Sequence, residues 1–140
     1  MDKETIYKKI DQIKNLLKEL DKTLSLPFDK FIKDLNIIRA SERNFQLMVD
    51  IAIDINSQII IEKDAASPDT YKQSFLELGN LKILPRDLSE SLAKTASLRN
   101  ILVHEYDFEE DYRKFYDSAK NSIESYQNYC RIIYKFLEEV

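Results

Sequence analysis

Six apolar residues near the N-terminus, Ile6, Ile10, Ile13, Leu17, Leu20 and Leu24, recur at alternating gaps of four and three. That spacing places them on one side of a 3.6-residue helix, and a chain built from such stripes has to pack helix against helix. The rhythm returns in Phe45, Met48, Ala52, Ile55 and Ile59, widened by Leu47, Ile51 and Ile60. It returns again in Phe108, Tyr112, Phe115, Ala119, Ile123, Tyr126, Cys130, Ile133 and Leu137. No segment alternates convincingly with period two. One glycine and three prolines in 140 residues are too few for a turn-rich β architecture. Ile is a middling helix former, so the helical reading rests on periodicity rather than on propensity.

The breaks are as informative as the stripes. "SLPFDK" ends the first helix, and Pro27 can open a short one over Phe28 to Leu35. A long helix is expected from about Ser41 to Lys63, ended by "DAASPDT". A short helix from Thr70 to Leu78 follows, with Gly79 as its C′ residue. "LKILPRD" leads into a helix from Arg86 to about His104. The last helix starts at Asp107, where Glu110 completes an Asp version of the capping box. The expected fold is all-α. It is an antiparallel bundle of four main helices with one or two short extras, forming a single domain over residues 1–140.

Composition removes several classes of function. The single cysteine, Cys130, cannot form an internal disulfide, and a reducing, cytoplasmic home is the default. "MDKETIYKKI" has no apolar signal-peptide core, and no apolar run approaches the ~18 residues of a membrane span. Net charge is −4, whereas a protein holding nucleic acid by bulk charge is normally basic. Nucleic-acid contact, if there is any, has to be local or has to gather scattered cations.

"LRNILVHEYDFEED", from Leu98 to Asp111, carries the chain's only histidine, His104. Asn100 and His104 are four apart and share a helix face. Arg99 is about 140° away from His104, within reach for a long side chain at a fraying helix end. An ordinary reading exists: His and Arg near a helix C-terminus suit its dipole, and Asn100 can be a satisfied polar residue. Tyr106 lacks the matching excuse. As the residue before the next cap it should pack on the fourth helical position, which is Asp111. The reactive reading is RNA cleavage. RNA brings its own nucleophile in the 2′-hydroxyl. A neutral His suits the proton transfer and a guanidinium suits the charge that builds on phosphorus, with no metal required. One chain supplies one His, so separate base and acid imidazoles call for a homodimer with a shared cleft.

At these residues the chain resembles the HEPN superfamily, specifically the HepT-like toxins of HEPN/MNT toxin–antitoxin pairs. "RNILVHEY" matches the extended form R-N-x-L-V-H-x-Y of the motif R-x4-H-x-Y. "SERNFQLMVDIAIDINSQII" resembles that family's second long helix and "TYKQSFLELGNLKIL" its connecting segment, so the likeness runs from about Arg39 to the C-terminus. The resemblance implies that Arg99 and His104 are the ribonuclease pair, supported by Asn100. It implies a partner that is a minimal nucleotidyltransferase antitoxin, and attachment of AMP to Tyr106 as one mode of silencing. Members often carry His or Gly near Asn56 and Ser57; this chain has neither, and no role is assigned to those two.

Arg43, Gln46, Asp50, Asp54 and Ser57 form a polar stripe on the second long helix. It reads as a solvated face or as support in which Asp50 or Asp54 holds Arg99 or orients His104. Two carboxylates at i, i+4 could also take a metal, but no further ligand is evident, and no metal or cofactor is expected. Tyr112, Tyr116, Tyr126, Tyr129 and Tyr134 can stack on bases, but bundle core or dimer interface suits them better. The acidic run Glu105, Asp107, Glu109, Glu110 and Asp111 is a helix-start preference that sits awkwardly beside an RNA groove. The expectation is a cytoplasmic, metal-independent endoribonuclease toxin. Its partners are an RNA substrate, an MNT-type nucleotidyltransferase antitoxin and a second copy of itself, with no membrane. The alternative is a non-catalytic helical module that presents a substrate or a tyrosine to the nucleotidyltransferase.

Overall fold

The structure is a computed structural model. It describes the backbone of residues 1–102 and 109–140 and the side chains of residues 1–100 and 111–140. The described residues form six helices: α1 Lys3–Leu24, α2 Phe28–Phe31, α3 Leu35–Glu62, α4 Tyr71–Asn80, α5 Arg86–Leu102 and α6 Glu109–Glu139. No strand occurs among them. The expected capping pair Asp107 and Glu110 falls outside what is described.

Four long helices close a ring in which α1 packs on α3, α3 on α5, α5 on α6 and α6 back on α1. Side-chain contacts give the directions. Ser41 at the start of α3 meets Thr23 at the end of α1, while Asp54 farther along α3 meets Lys9. Tyr7 stacks with Tyr134 while the Tyr116 hydroxyl donates to the Leu26 carbonyl, so α1 and α6 also run antiparallel. The six apolar residues of the first stripe are all buried. So are Phe45, Met48, Ala52, Ile55 and Ile59 on α3, and Phe115, Ala119, Tyr126, Cys130, Ile133 and Leu137 on α6. Tyr126 and Tyr129 are core residues, and Tyr134 is exposed. Burial pushes the Cys130 thiol up to about 12, which keeps it an inert protonated thiol.

Two boundaries differ from expectation, each for a local reason. α3 begins at Leu35 rather than Ser41 because Asp34 caps it, its carboxylate accepting from the backbone N–H groups of Asn36 (3.0 Å) and Ile37 (3.3 Å). The short helix before it is thereby limited to Phe28–Phe31. Gly79 is not the C′ residue of α4. It lies inside the helix, which ends at the cap Leu81, and Lys82 takes the left-handed conformation at φ 61°. Glycine is required at 79 for clearance. A Cβ there would lie 2.4 Å from Ser89 Oγ and 2.9 Å from Ser89 Cβ, so α4 and α5 could not pack as closely.

Asn56, which carried no assignment from its sequence, is fully buried. The Tyr129 hydroxyl donates to Asn56 Oδ1 at 2.5 Å, with the Ala52 carbonyl 3.1 Å away. Asn56 Nδ2 donates to Ser74 Oγ (3.1 Å), and Ser74 Oγ donates to the Tyr71 carbonyl (2.8 Å). The network ties α6 to α3 and α3 to the first turn of α4. Among the described residues no buried side-chain polar atom lacks a partner.

Gly79→Ala should destabilise the domain by about 1–3 kcal/mol, overpacking outweighing the helix propensity gained. Adding Ser89→Ala should recover only part of that loss, because the serine Cβ is itself too close. Urea denaturation of the two variants checks this, and a Gly79→Ala protein as stable as the parent refutes the close approach.

Candidate functional site

Arg99 lies in the last turn of α5. Its register follows from Leu92, Ala96 and Leu98, which are buried and fix the rotation of the helix. Arg99 Nε donates to Asp50 Oδ1 at 3.0 Å, with the two side chains 20% and 37% exposed. The guanidinium also lies over the ring of Tyr71, its Cζ 5.1 Å from the ring centroid, within cation–π range. Tyr71 opens α4, where the Thr70 hydroxyl caps the helix by accepting from the Gln73 N–H at 3.1 Å. Three elements therefore converge on one guanidinium: α3 by a carboxylate, α4 by an aromatic face and α5 by the backbone that carries it.

The other residues singled out in the sequence divide. Asn100 is exposed beside Arg99. His104 and Tyr106 lie outside the described residues. The α3 polar stripe is not a single unit. Asp50 turns to Arg99, whereas Asp54 is exposed and ion-pairs with Lys9 of α1 at 3.7 Å. Glu42, beside the start of that stripe, is buried and accepts from Arg39 at 2.8 Å, so it belongs to the packing at the start of α3. Among the described residues no three His, Cys, Asp or Glu side chains gather as a metal-binding set would. None of the helices, among those residues, is long and apolar enough to cross a membrane.

Tyr71 was missed by sequence reasoning. It is 42% exposed, and no short-range pattern joins it to Arg99, twenty-eight positions later. The only signal was its place directly after a Thr cap, on a helix that had to fold back along α5.

An antiparallel four-helix ring with an arginine fixed at the end of its third long helix is a HEPN-type architecture. The family model described as ribonuclease HepT-like matches residues 7–133. The chain is 30% identical over 132 residues to the tRNA nuclease HepT of Aphanizomenon flos-aquae, covering 94% of this chain and 89% of that protein. It is 28% identical over 103 residues to the mRNA nuclease HepT of Shewanella oneidensis, covering 74% and 77%. Solved structures agree on the fold. The tri-AMPylated Shewanella oneidensis HEPN toxin in complex with MNT antitoxin gives a TM-score of 0.80 at 23% identity, covering 93% of this chain and 96% of that one. A mutant toxin–antitoxin MntA–HpeT gives a TM-score of 0.83 at 25% identity, covering 93% and 97%. The chain belongs to the ribonuclease HepT-like family.

A double-mutant cycle separates the two aspartates. Asp50→Ala and Arg99→Ala should couple by about 1 kcal/mol in urea denaturation, as a half-buried ion pair does, and Asp54→Ala with Arg99→Ala by less than about 0.3 kcal/mol. Equal couplings would mean that Asp50 does not hold Arg99.

Proposed function

We propose that this protein is an endoribonuclease toxin that cleaves RNA without a metal and is neutralised by a nucleotidyltransferase antitoxin of the MNT type. The observation that carries the reading is the half-buried Arg99, gripped by Asp50 and backed by Tyr71 at the end of α5. An arginine with no task beyond solvation needs neither partner. With Nε turned to Asp50, the terminal nitrogens are the pair that would fork onto two oxygens of a phosphate.

The reaction follows from the substrate. A ribose 2′-hydroxyl attacks the adjacent phosphorus and loses its proton to a base. The P–O5′ bond breaks, and the departing oxygen takes a proton from an acid. The products are a 2′,3′-cyclic phosphate and a free 5′-hydroxyl. His104 acts as base or acid, Arg99 holds the charge on the pentacovalent phosphorus, Asn100 positions the linkage and Asp50 keeps Arg99 aimed. Because one chain has one His, the second proton transfer falls to the partner copy of a homodimer. A toxin–antitoxin pair of this kind works in the cytoplasm. Several observations support the pairing. The Shewanella oneidensis HEPN toxin with a TM-score of 0.80 is tri-AMPylated and bound to its MNT antitoxin. This chain has Tyr106 two positions after His104. An AMP group there would add bulk and negative charge where RNA phosphate has to enter. Asp54, held by Lys9, takes no part in the chemistry.

Arg99→Ala or His104→Ala should each slow RNA cleavage by about 10²–10⁴-fold, far more than the ~1 kcal/mol of stability that Arg99→Ala gives up with its Asp50 pair explains, while EDTA leaves the parent rate unchanged. Cleavage of single-stranded RNA, followed with end-group analysis for the cyclic phosphate, measures both. A His104→Ala protein that cuts at the parental rate rules out the catalytic reading and leaves the non-catalytic module that presents a tyrosine to the nucleotidyltransferase.

A further inference from the structure

At the end of the bundle away from Arg99, the turn between α4 and α5 and the C-terminal half of α6 enclose an open groove of about 810 Å³. Lys63, Lys82, Arg86, Arg131 and Lys135 line it, five cations against one carboxylate, Glu139. They come from four different parts of the chain: the cap of α3, the turn after α4, the first residue of α5, and one turn of α6. All five are exposed. Among the described residues only Arg86 has a carboxylate partner, Glu90 at 3.7 Å. Lys63 lies over the Phe136 ring at 5.4 Å, and Arg131 bonds the Asn128 side-chain oxygen at 3.3 Å. Lys82 is carried by a left-handed backbone at φ 61°, a conformation costly for a residue with a side chain. In a chain of net charge −4, five of the 21 lysines and arginines are brought together here.

We propose that this groove is a second phosphate-backbone site, which holds the flank of the polynucleotide whose scissile linkage lies at Arg99. The inference rests on the ribonuclease reading for its choice of ligand. A cluster of exposed lysines and arginines, four of the five without a carboxylate partner among the described residues and drawn from separate segments of the chain, is complementary to a polyanion, and phosphate contacts position a strand without reading its sequence. Arg86 and Arg99 stand at the two ends of α5, thirteen residues and so ~20 Å apart. A stacked strand rises ~3.4 Å per nucleotide, so about six nucleotides separate the two contacts. Substrates that reach both should bind far better than those that reach one.

The test uses the intact protein and single-stranded DNA, which has the same phosphate backbone and lacks the 2′-hydroxyl that cleavage would use. Fluorescence anisotropy compares strands of ~16 and ~4 nucleotides over a salt series. Arg86→Gln/Arg131→Gln/Lys135→Gln should weaken long-strand binding about 10-fold and lower the slope of log K against log salt by about 2, at ~0.7 per lost phosphate contact. The short strand, which reaches only one of the two contacts at a time, should bind the parent far more weakly and lose less in the groove variant. Lys8→Gln/Lys18→Gln/Lys22→Gln removes the same charge from the exposed face of α1 and should change the slope by less than about 0.5. Arg86→Lys/Arg131→Lys should keep the long-strand affinity, which distinguishes lost charge from damaged packing. Equal losses in the two triple variants would overturn the proposal, since bulk charge would then be the cause. An unchanged slope in the groove variant would overturn it too. If the groove signature appears but RNA is never cut, the groove stands and the nuclease reading fails.

Discussion

A buried asparagine in the middle of a helix bundle is tolerable only if every one of its polar atoms is met, and the way Asn56 is met sets the geometry of the site. Tyr129 of α6 donates to its oxygen, its nitrogen donates to Ser74, and Ser74 donates to the Tyr71 carbonyl. Burial pushes the Tyr129 hydroxyl well above its ordinary value, so it remains a neutral donor. The ring of Tyr71 then faces the Arg99 guanidinium, and Arg99 turns back to Asp50 on α3, six positions before Asn56. The relay leaves α3, passes through α4 and α5, and returns to α3. Truncating Asn56, Ser74 or Tyr129, its buried members, leaves a desolvated polar group behind, at a cost of about 1–3 kcal/mol, so the arrangement selects one register for α4 against α3. Phe75, packed edge-on against Tyr126 and Tyr129 at 6.5 and 6.2 Å, fills the space beside it.

That relay explains why Arg99 is held before any substrate arrives. A free arginine side chain samples many rotamers, and ordering it costs up to about 2 kcal/mol. Asp50 and Tyr71 meet that cost in the folded protein rather than at the moment of binding. In the catalytic role proposed for Arg99, such preorganised charge is what a developing phosphorane would reward. The arrangement also leaves Arg99 only partly desolvated, which avoids the penalty of a fully buried cation while keeping it out of bulk water.

The all-α class and the buried faces of α1, α3 and α6 were legible because they depend on local periodicity, which a sequence displays directly. The motif Arg99, Asn100, His104 and Tyr106 could be picked out for the same reason, its spacing being short, and of its members the structure describes Arg99 and Asn100. What escaped depends on contacts between segments. Asp34 captured Leu35 for α3 through a cap that competed with the Pro27 signal. Gly79 looked like a helix stop because glycine usually is one, yet its purpose is set by Ser89 on another helix. Asn56 looked unassignable for the same reason, its partners Tyr129 and Ser74 lying far away in sequence. Asp50 and Asp54 were indistinguishable on a helical wheel. They separate only because α5 passes one and α1 the other.

An acidic protein that acts on a polyanion faces a choice between general repulsion and local attraction. Spreading Lys and Arg evenly would draw any nucleic acid to any face, and affinity would carry no information about where the reactive phosphate sits. Here four basic side chains of α1 and α6 have acidic neighbours, in the pairs Lys8–Glu4, Lys9–Asp54, Lys22–Glu19 and Arg113–Asp117. Such pairs contribute little to stability, but they cancel the field around them. Five cations gather at the α4–α5 turn and along one turn of α6, with Arg99 at the other end of α5. A net negative surface with positive charge at two fixed points discriminates by geometry. A polynucleotide gains only if it can place phosphates at both points at once, and screening by salt weakens the distant, repulsive part of the field before it weakens the close contacts.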